Sequence, residues 1–370
     1  MRKITLICLL VLSLQGCTYK NTGTSLPRAE ASQELKDSLK SYLAAAKAAS
    51  AKINSIMVIQ HGNVLAEAYV NFPQYKPHYM MSCTKTFTSM AVGFAVSEGK
   101  LSLDDRMADI FPEEVAAVLD TLTDSALKEN LLAGTIRDYL VMGTGHDWDN
   151  FLAVFDKYKL PYCLDDHGKA LDRAFARKGV DVKKEFFAQP FVYAPGTHNF
   201  YDNEGSHMLS CAVQKKVGEK VSDYLYPRLF EPLGMAKPFW DEIQGASSGG
   251  WGLFLFPEEM AKFGLCLLNG GRYEGKQVIP EWYVKEASQR YFSWGAPSWA
   301  SEKEGRSYFQ GYGYQMWMNS DAFCCSGAHG QFICMLPEYD AVIVATAKIM
   351  GDDHIEMGLI WKHILPALGR

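Results

Sequence analysis

The 370 residues are 48% hydrophobic and 21% charged, with 37 Lys and Arg against 42 Asp and Glu, a formal net charge of −5. A mildly acidic chain without a basic run lacks the electrostatic footprint of a nucleic-acid binder, so nucleic acid is excluded as a partner. At this length and apolar content the chain can bury a large core, built as two subdomains.

The first residues read as an address. Arg2 and Lys3 form a short positive region, and "ITLICLLVL" is an apolar run too short to span a bilayer. The stretch ends in "LQGC", Leu14 to Cys17, and is similar to a bacterial lipoprotein signal. That resemblance implies cleavage before Cys17, a leader over 1–16, lipid on the Cys17 thiol and a polar tether over 17–30. Thr18, where Asp would retain the protein at the inner membrane, favours the outer membrane of a Gram-negative cell, with the domain facing the periplasm. Loss of Arg2 and Lys3 with the leader takes the charge to −7. Seven cysteines follow: Cys83, Cys163, Cys211, Cys266, Cys324, Cys325 and Cys334. None shows CxxC spacing, and "GLCLL" and "FICML" place two of them in apolar runs. They read as small buried hydrophobes rather than a disulfide framework or zinc site, with one bridge left open.

Helix formers fill 33–52. "INSIMVIQ" and "VLAEAYV" flank His61-Gly62-Asn63 and predict a hairpin. Phe87, Met90, Ala91 and Phe94 recur at helical spacing over 84–98, and Gly99 is a stop signal. From 104 to 285 the patterns are mainly helical, broken by "GTGHDWDN" and "YAPGTHNFYDN". Strands return at 311–318, 322–327, 331–336 and 341–347, and a last helix is expected over 353–367. The fold predicted is α/β (α+β): an antiparallel sheet of about five strands flanked by helices, with an inserted helical subdomain. Within a domain spanning 31–370, the sheet part covers 31–103 and 286–370, and the helical part 104–285.

"MSCTKTFTSMAVGF" places Ser82 and Lys85 one turn apart where a helix starts. Ser82 is either a cap or a nucleophile. At a helix N-terminus, backbone N–H groups and the dipole favour a developing anion. A desolvated Lys85 on the same face could accept the serine proton. Ser-x-x-Lys alone is weak, since Ser97-Glu98-Gly99-Lys100 also matches. Gly245-Ala246-Ser247-Ser248-Gly249 fits a nucleophile elbow, but no strand–helix pair surrounds it. The nine histidines show no metal spacing.

Together these stretches resemble the serine β-lactamase and penicillin-binding-protein superfamily, specifically its class C-related branch of esterases, D-amino-acid peptidases and 6-aminohexanoate-dimer hydrolases. "SCTKTFTSMAVGFAVSEGKLSLDD" carries the first motif, and "PGTHNFYDNEGSHMLS" the second, Tyr-x-Asn, at Tyr201-Asp202-Asn203. Tyr19-Lys20-Asn21 and Tyr69-Val70-Asn71 match equally, so order and flanking phrases give the specificity. "FEPLGM", "GGWGLFLFPEEMAKFG" and "LNGGRYEGKQVIPEWYV" are similar to connecting stretches of that branch. The resemblance implies a serine hydrolase, with Ser82 as nucleophile, Lys85 and Tyr201 relaying its proton, and Asn203 holding Lys85 and the substrate. It implies no metal or organic cofactor. Where Lys-Thr-Gly or His-Thr-Gly is usual, this chain has Cys325-Ser326-Gly327. In that register the N–H groups of Ser82 and Ala328 form the oxyanion hole. A shifted register, Ala328-His329-Gly330 with Gln331 as donor, stays open. The usual cation for a substrate carboxylate is then missing unless His329 replaces it. Trp148, beside His146 and Asp147, could line the cleft or pack in the core. No glutamate placed for deacylation is identifiable. A slowly acylating sensor, a penicillin-binding-like D-peptidase and a weak β-lactamase remain the alternatives to an esterase or amidase.

Overall fold

The computed structural model describes residues 25–74, 76–147, 149, 157, 179–293, 309–350 and 354–369. Cys17, Trp148, Cys163, the leader and most of the tether lie outside the described residues. So does Tyr19-Lys20-Asn21.

β1 (Ile53–Gln60) and β2 (Asn63–Tyr69) form the N-terminal hairpin. Its turn takes positive φ at both His61 (50°) and Gly62 (73°), the handedness that follows the twist of the flanking strands. The other strands of this sheet come from the C-terminal part: β3 (Phe292–Ser293), β4 (Gly311–Tyr312), β5 (Trp317–Met318), β6 (Phe323–Gly327), β7 (Gln331–Leu336) and β8 (Ala341–Ala347). They form one sheet, antiparallel at every junction, in the order β2-β1-β8-β7-β6-β5-β4-β3. Eight strands replace the expected five because β3, β4 and β5 are two residues each, too short to show a period of two. The stretch 311–318 is thus a tight hairpin rather than one strand. Gly313 sits at its turn, where a Cβ would lie 2.2 Å from the Ala287 carbonyl oxygen.

Residues alternate between two apolar layers along the central strands. Met57, Ile59, Ile333, Met335, Val342 and Val344 face one layer; Ile56, Val58, Cys334, Leu336, Ile343 and Ala345 face the other. Burial on both faces explains why these strands read as continuous hydrophobic runs. The second layer is closed by α1 (Gln33–Ala48), whose first turn is capped by Ser32 Oγ accepting the Leu35 N–H at 3.0 Å, and by the C-terminal helical segment. That segment starts as an α-helix over His354–Leu359 and then winds irregularly through Ala367, since Pro366 has no N–H to continue a helix.

The first layer holds α2 (Thr84–Ser97), α3 (Asn203–Val217) and α4 (Pro257–Leu268). α4 lies on β8, β7 and β1, and its Gly264 permits the approach: a Cβ there would meet Val342 Cγ1 at 2.6 Å. α2 is buried from Thr84 to Ala95, the situation of a helix that is apolar on every side. One charged side chain, Lys85, is buried inside it. Short helices including Pro112–Leu119, Ser125–Ala133 and Val182–Ala188 make up much of the region between the two sheet-forming parts. Among the described residues no helix is long and apolar enough to cross a membrane.

Candidate active site

Ser82 lies in a 3-10 turn, Met81–Cys83, that leads directly into α2. Met81 takes φ +48°, a left-handed kink before the helix, and Ser82 itself is half-buried. The α2 N-terminus has no side-chain cap. A capping role for Ser82, one of the two readings its position allows, is therefore not what holds this helix; its Oγ faces Lys85 instead.

Lys85 Nζ has three oxygen neighbours: Ser82 Oγ at 2.9 Å, Asn203 Oδ1 at 2.7 Å and the Gly250 carbonyl at 2.9 Å. The side chain is 1% exposed, and burial lowers its pKa from 10.5 to about 7, opposed by the nearby Glu204 and Asp202 carboxyls. The neutral amine then has two N–H bonds and one lone pair. Asn203 Oδ1 and the Gly250 carbonyl can only accept, so they take both hydrogens. The lone pair is left for Ser82, whose hydroxyl becomes the donor. In the neutral form, the three contacts around this nitrogen direct its lone pair at one hydroxyl.

Each neighbour has a structural reason for its place. Asp202 caps α3, its Oδ1 accepting the Gly205 N–H at 2.9 Å, and this fixes Asn203 in the first turn opposite Lys85. Asp202 Oδ2 is held by Thr144 Oγ1 and by His146 Nδ1, each at 3.2 Å. His146 is 1% exposed and packs against Phe186 and Phe191, so it supports the α3 cap from beneath instead of lining the cleft. Glu204 is raised to about 8 by burial of its carboxyl and then by Asp202. Gly250 reaches Lys85 because Gly249 beside it presses on α3, where a Cβ would lie 2.1 Å from the Ser206 carbonyl oxygen.

Tyr201 enters from the residue before that cap. Lys85 Nζ lies 4.8 Å from its ring centroid, within cation–π range when the amine is charged. The ring stacks on Trp317 at 5.5 Å and meets Tyr312 edge-on at 6.1 Å.

The end of β6 closes the site. A Cβ on Gly327 would lie 2.4 Å from the Met80 carbonyl oxygen and 3.2 Å from the Cys83 nitrogen, so only glycine lets the strand approach the Met81–Cys83 turn. Ala328 follows in the turn, and His329 takes φ +67° with Nδ1 2.9 Å from the Ile349 carbonyl. Gln331 Nε2 donates to the Ala347 carbonyl at 2.7 Å. Cys325-Ser326-Gly327 lies on β6, and its Gly327 is the residue that approaches the turn holding Ser82. Cys325 is buried against the α2 layer as a thiol.

The competing motifs have structural roles. Ser247 is fully buried in a two-residue strand, and its Oγ accepts the Ser222 N–H at 3.1 Å. Ser97 Oγ accepts from Trp282 Nε1 at 3.0 Å. Tyr69 bonds Met57 and Glu67.

The sequence reading missed the Gly250 carbonyl and the Thr144–His146–Asp202 support. Paired glycines at 249–250 were a usable signal for close backbone approach. The support was legible only as two separate loops.

A sheet covered on both faces, with a serine–lysine pair where a buried helix meets its strand end, defines the β-lactamase/transpeptidase-like class of serine hydrolases. The chain belongs to the β-lactamase family, whose model, described as beta-lactamase, matches residues 43–360. The lovastatin esterase of Penicillium rubens is 24% identical over 197 residues, covering 52% of this chain and 47% of that one; the chain thus spans about half the length of this curated relative. Among solved structures, an inferred 6-aminohexanoate-dimer hydrolase from Bacillus anthracis superposes with a TM-score of 0.66 at 18% identity, covering 95% of this chain and 91% of that one. Simvastatin synthase (LovD) from Aspergillus terreus gives 0.65 at 16%, covering 91% and 99%. EstCE1, a hydrolase with promiscuous acyltransferase activity, gives 0.67 at 14%, covering 90% and 98%.

Proposed function

We propose that the protein is a lipid-anchored serine hydrolase that cleaves neutral esters or amides through an acyl-enzyme on Ser82. The observation that carries the reading is the set of three oxygens around a buried Lys85, two of which can only accept, so that the neutral amine's lone pair is left to the Ser82 hydroxyl. In the proposed reaction Ser82 Oγ attacks the carbonyl carbon as Lys85 takes its proton. Tyr201, beside Lys85, passes a proton to the leaving group and later draws one from the water that releases the acyl group. The N–H groups of Ser82 and Ala328 stabilise the oxyanion, a role supported by the contact of Gly327 with the Met80–Cys83 turn. Asn203 holds Lys85 and the acyl-side polar group. The name of the lovastatin esterase favours ester chemistry.

Substrate charge follows from the third motif. A cation at the Cys325 position would offer a carboxylate a charge-assisted hydrogen bond of roughly 1.5–3 kcal/mol, or about one to two decades in rate. A buried thiol offers none, and His329 has its Nδ1 edge on the Ile349 carbonyl. Neutral esters and amides are therefore expected to exceed penicillins, cephalosporins and peptides with a free C-terminal carboxylate in kcat/KM. Efficient penicillin hydrolysis at pH 8, unchanged in His329→Ala, overturns this part of the reading.

Anchoring at the outer membrane through lipid on Cys17, facing the periplasm, is proposed from the "LQGC" leader. Cys17→Ala is expected to move the protein from the membrane pellet to the soluble fraction and to remove incorporation of labelled fatty acid. A variant that still pellets places the anchor elsewhere.

A further inference from the structure

Four of the cysteines lie around the β6–β7 hairpin, and they divide between the two layers. Cys325 and Cys83 belong to the layer of α2, with Cys83 Sγ directed at the Gln331 carbonyl at 3.2 Å. Cys324 and Cys334 belong to the opposite layer, beneath α1 and the C-terminal helical segment. They are 1% and 0% exposed. The hairpin register sets Cys324 directly opposite Cys334. Directly opposed residues in antiparallel strands have Cα atoms about 4.5–5.5 Å apart, with side chains on the same face. That separation lies inside the Cα range of disulfides, about 4.4–6.8 Å, and closing the bond draws the Cβ atoms in from about 4.5–5.5 Å to about 3.5–4.5 Å. Both are thiols in the structure.

We propose that Cys324 and Cys334 are a cross-strand disulfide pair that staples the β6–β7 hairpin when the chain folds in oxidising surroundings. The bond forms by exchange: a Cys thiolate attacks an oxidant disulfide, giving a mixed disulfide that the second Cys thiolate displaces. The two cysteines lose two protons and two electrons, and the oxidant disulfide is reduced to two thiols. Burial of the pair in the folded chain places this step during folding, before the layer closes. The hairpin turn carries Ala328, His329 and Gly330, and the strand carries Gly327 against the nucleophile turn. The staple thus restricts the same backbone that faces Ser82. The pairing rests on register and layer, not on the reading of Ser82 as a nucleophile; an inactive protein could still carry it. Its physiological use does depend on export from a reducing compartment.

The full mature chain, reduced and denatured, is refolded with excess oxidised glutathione, quenched with acid and alkylated in denaturant. Chymotryptic cleavage after Phe323, Phe332 and Tyr339 separates 324–332 from 333–339, and fragmentation between Cys324 and Cys325 assigns the bond. The expected result is a reductant-sensitive peptide linking Cys324 to Cys334, two hydrogens lighter than its separate parts. The Tm is expected to fall by roughly 5 °C on reduction. The double variant Cys324→Ala/Cys334→Ala should show no response to reductant. Full alkylation of both thiols after refolding overturns the proposal, as does a linkage from Cys325 to Cys83 or Cys334. Because glutathione supplies the oxidant in vitro, these outcomes do not depend on where the protein resides.

Discussion

Ser82→Ala is expected to remove hydrolysis of every ester and amide that the parent turns over, by a factor on the order of 10⁴–10⁶, because loss of a nucleophile removes the covalent route and not merely a binding contact. The protein should remain folded. Ser82 caps nothing at the start of α2, and Lys85 keeps its contacts with Asn203 and Gly250. The stability change should therefore stay within about 1 kcal/mol, the scale of a single hydrogen bond. A fluorophosphonate probe should add one label per parent chain, on Ser82, and none to the variant. A label on Ser247 would contradict the assignment outright, since that hydroxyl is buried and bonded to the Ser222 amide.

The second large effect is on pH. If neutral Lys85 is the base, kcat/KM for a neutral ester should rise about tenfold per pH unit below pH 7 and level off above it, following its lowered pKa. Lys85→Met should abolish that limb together with most of the activity. Stability moves as well. The native pKa, about 7, lies below the ordinary lysine value of 10.5. Between those values the unfolded chain binds a proton that the native chain has released, so the contribution of Lys85 to stability rises with pH. Below about pH 7 the burial penalty is complete. The two acceptors abandoned in Lys85→Met impose an offset that does not itself titrate near pH 7. The variant should thus gain in Tm relative to the parent as pH falls from 10 to 6. A kcat/KM profile flat from pH 5 to 9, with parent and variant melting in parallel, would remove Lys85 from the base role.

Much of this arrangement was legible because it follows the chain locally. β7 and β8 coincide with the apolar runs 331–336 and 341–347, since burial on both faces writes itself as uninterrupted hydrophobicity. Ser82 and Lys85 share one helical turn, so their contact is a matter of spacing. Other features depend on atoms without side-chain identity. The Gly250 carbonyl is a backbone group brought to Lys85 by the close approach of Gly249 to α3. His146 supports the site only because residues 146 and 202 meet after folding, and no local pattern announces a partner that far along the chain. The strands β3 to β5 are each too brief for alternation to emerge.

The N-terminal hairpin has a different bearing on how such a chain reaches its destination. Ile53 pairs with Ala347 and Gln60 with Ala341, so β1 finds its second neighbour, β8, only when almost the entire polypeptide is available. Closing so long a loop costs entropy before any contact returns it, which slows folding. A nascent chain with its first strand waiting for its last remains without its central sheet throughout synthesis. If the leader directs secretion, that delay keeps the chain threadable through a translocation channel, and the hydrolase acquires its sheet, its strand-end glycine and its activity only after release on the far side.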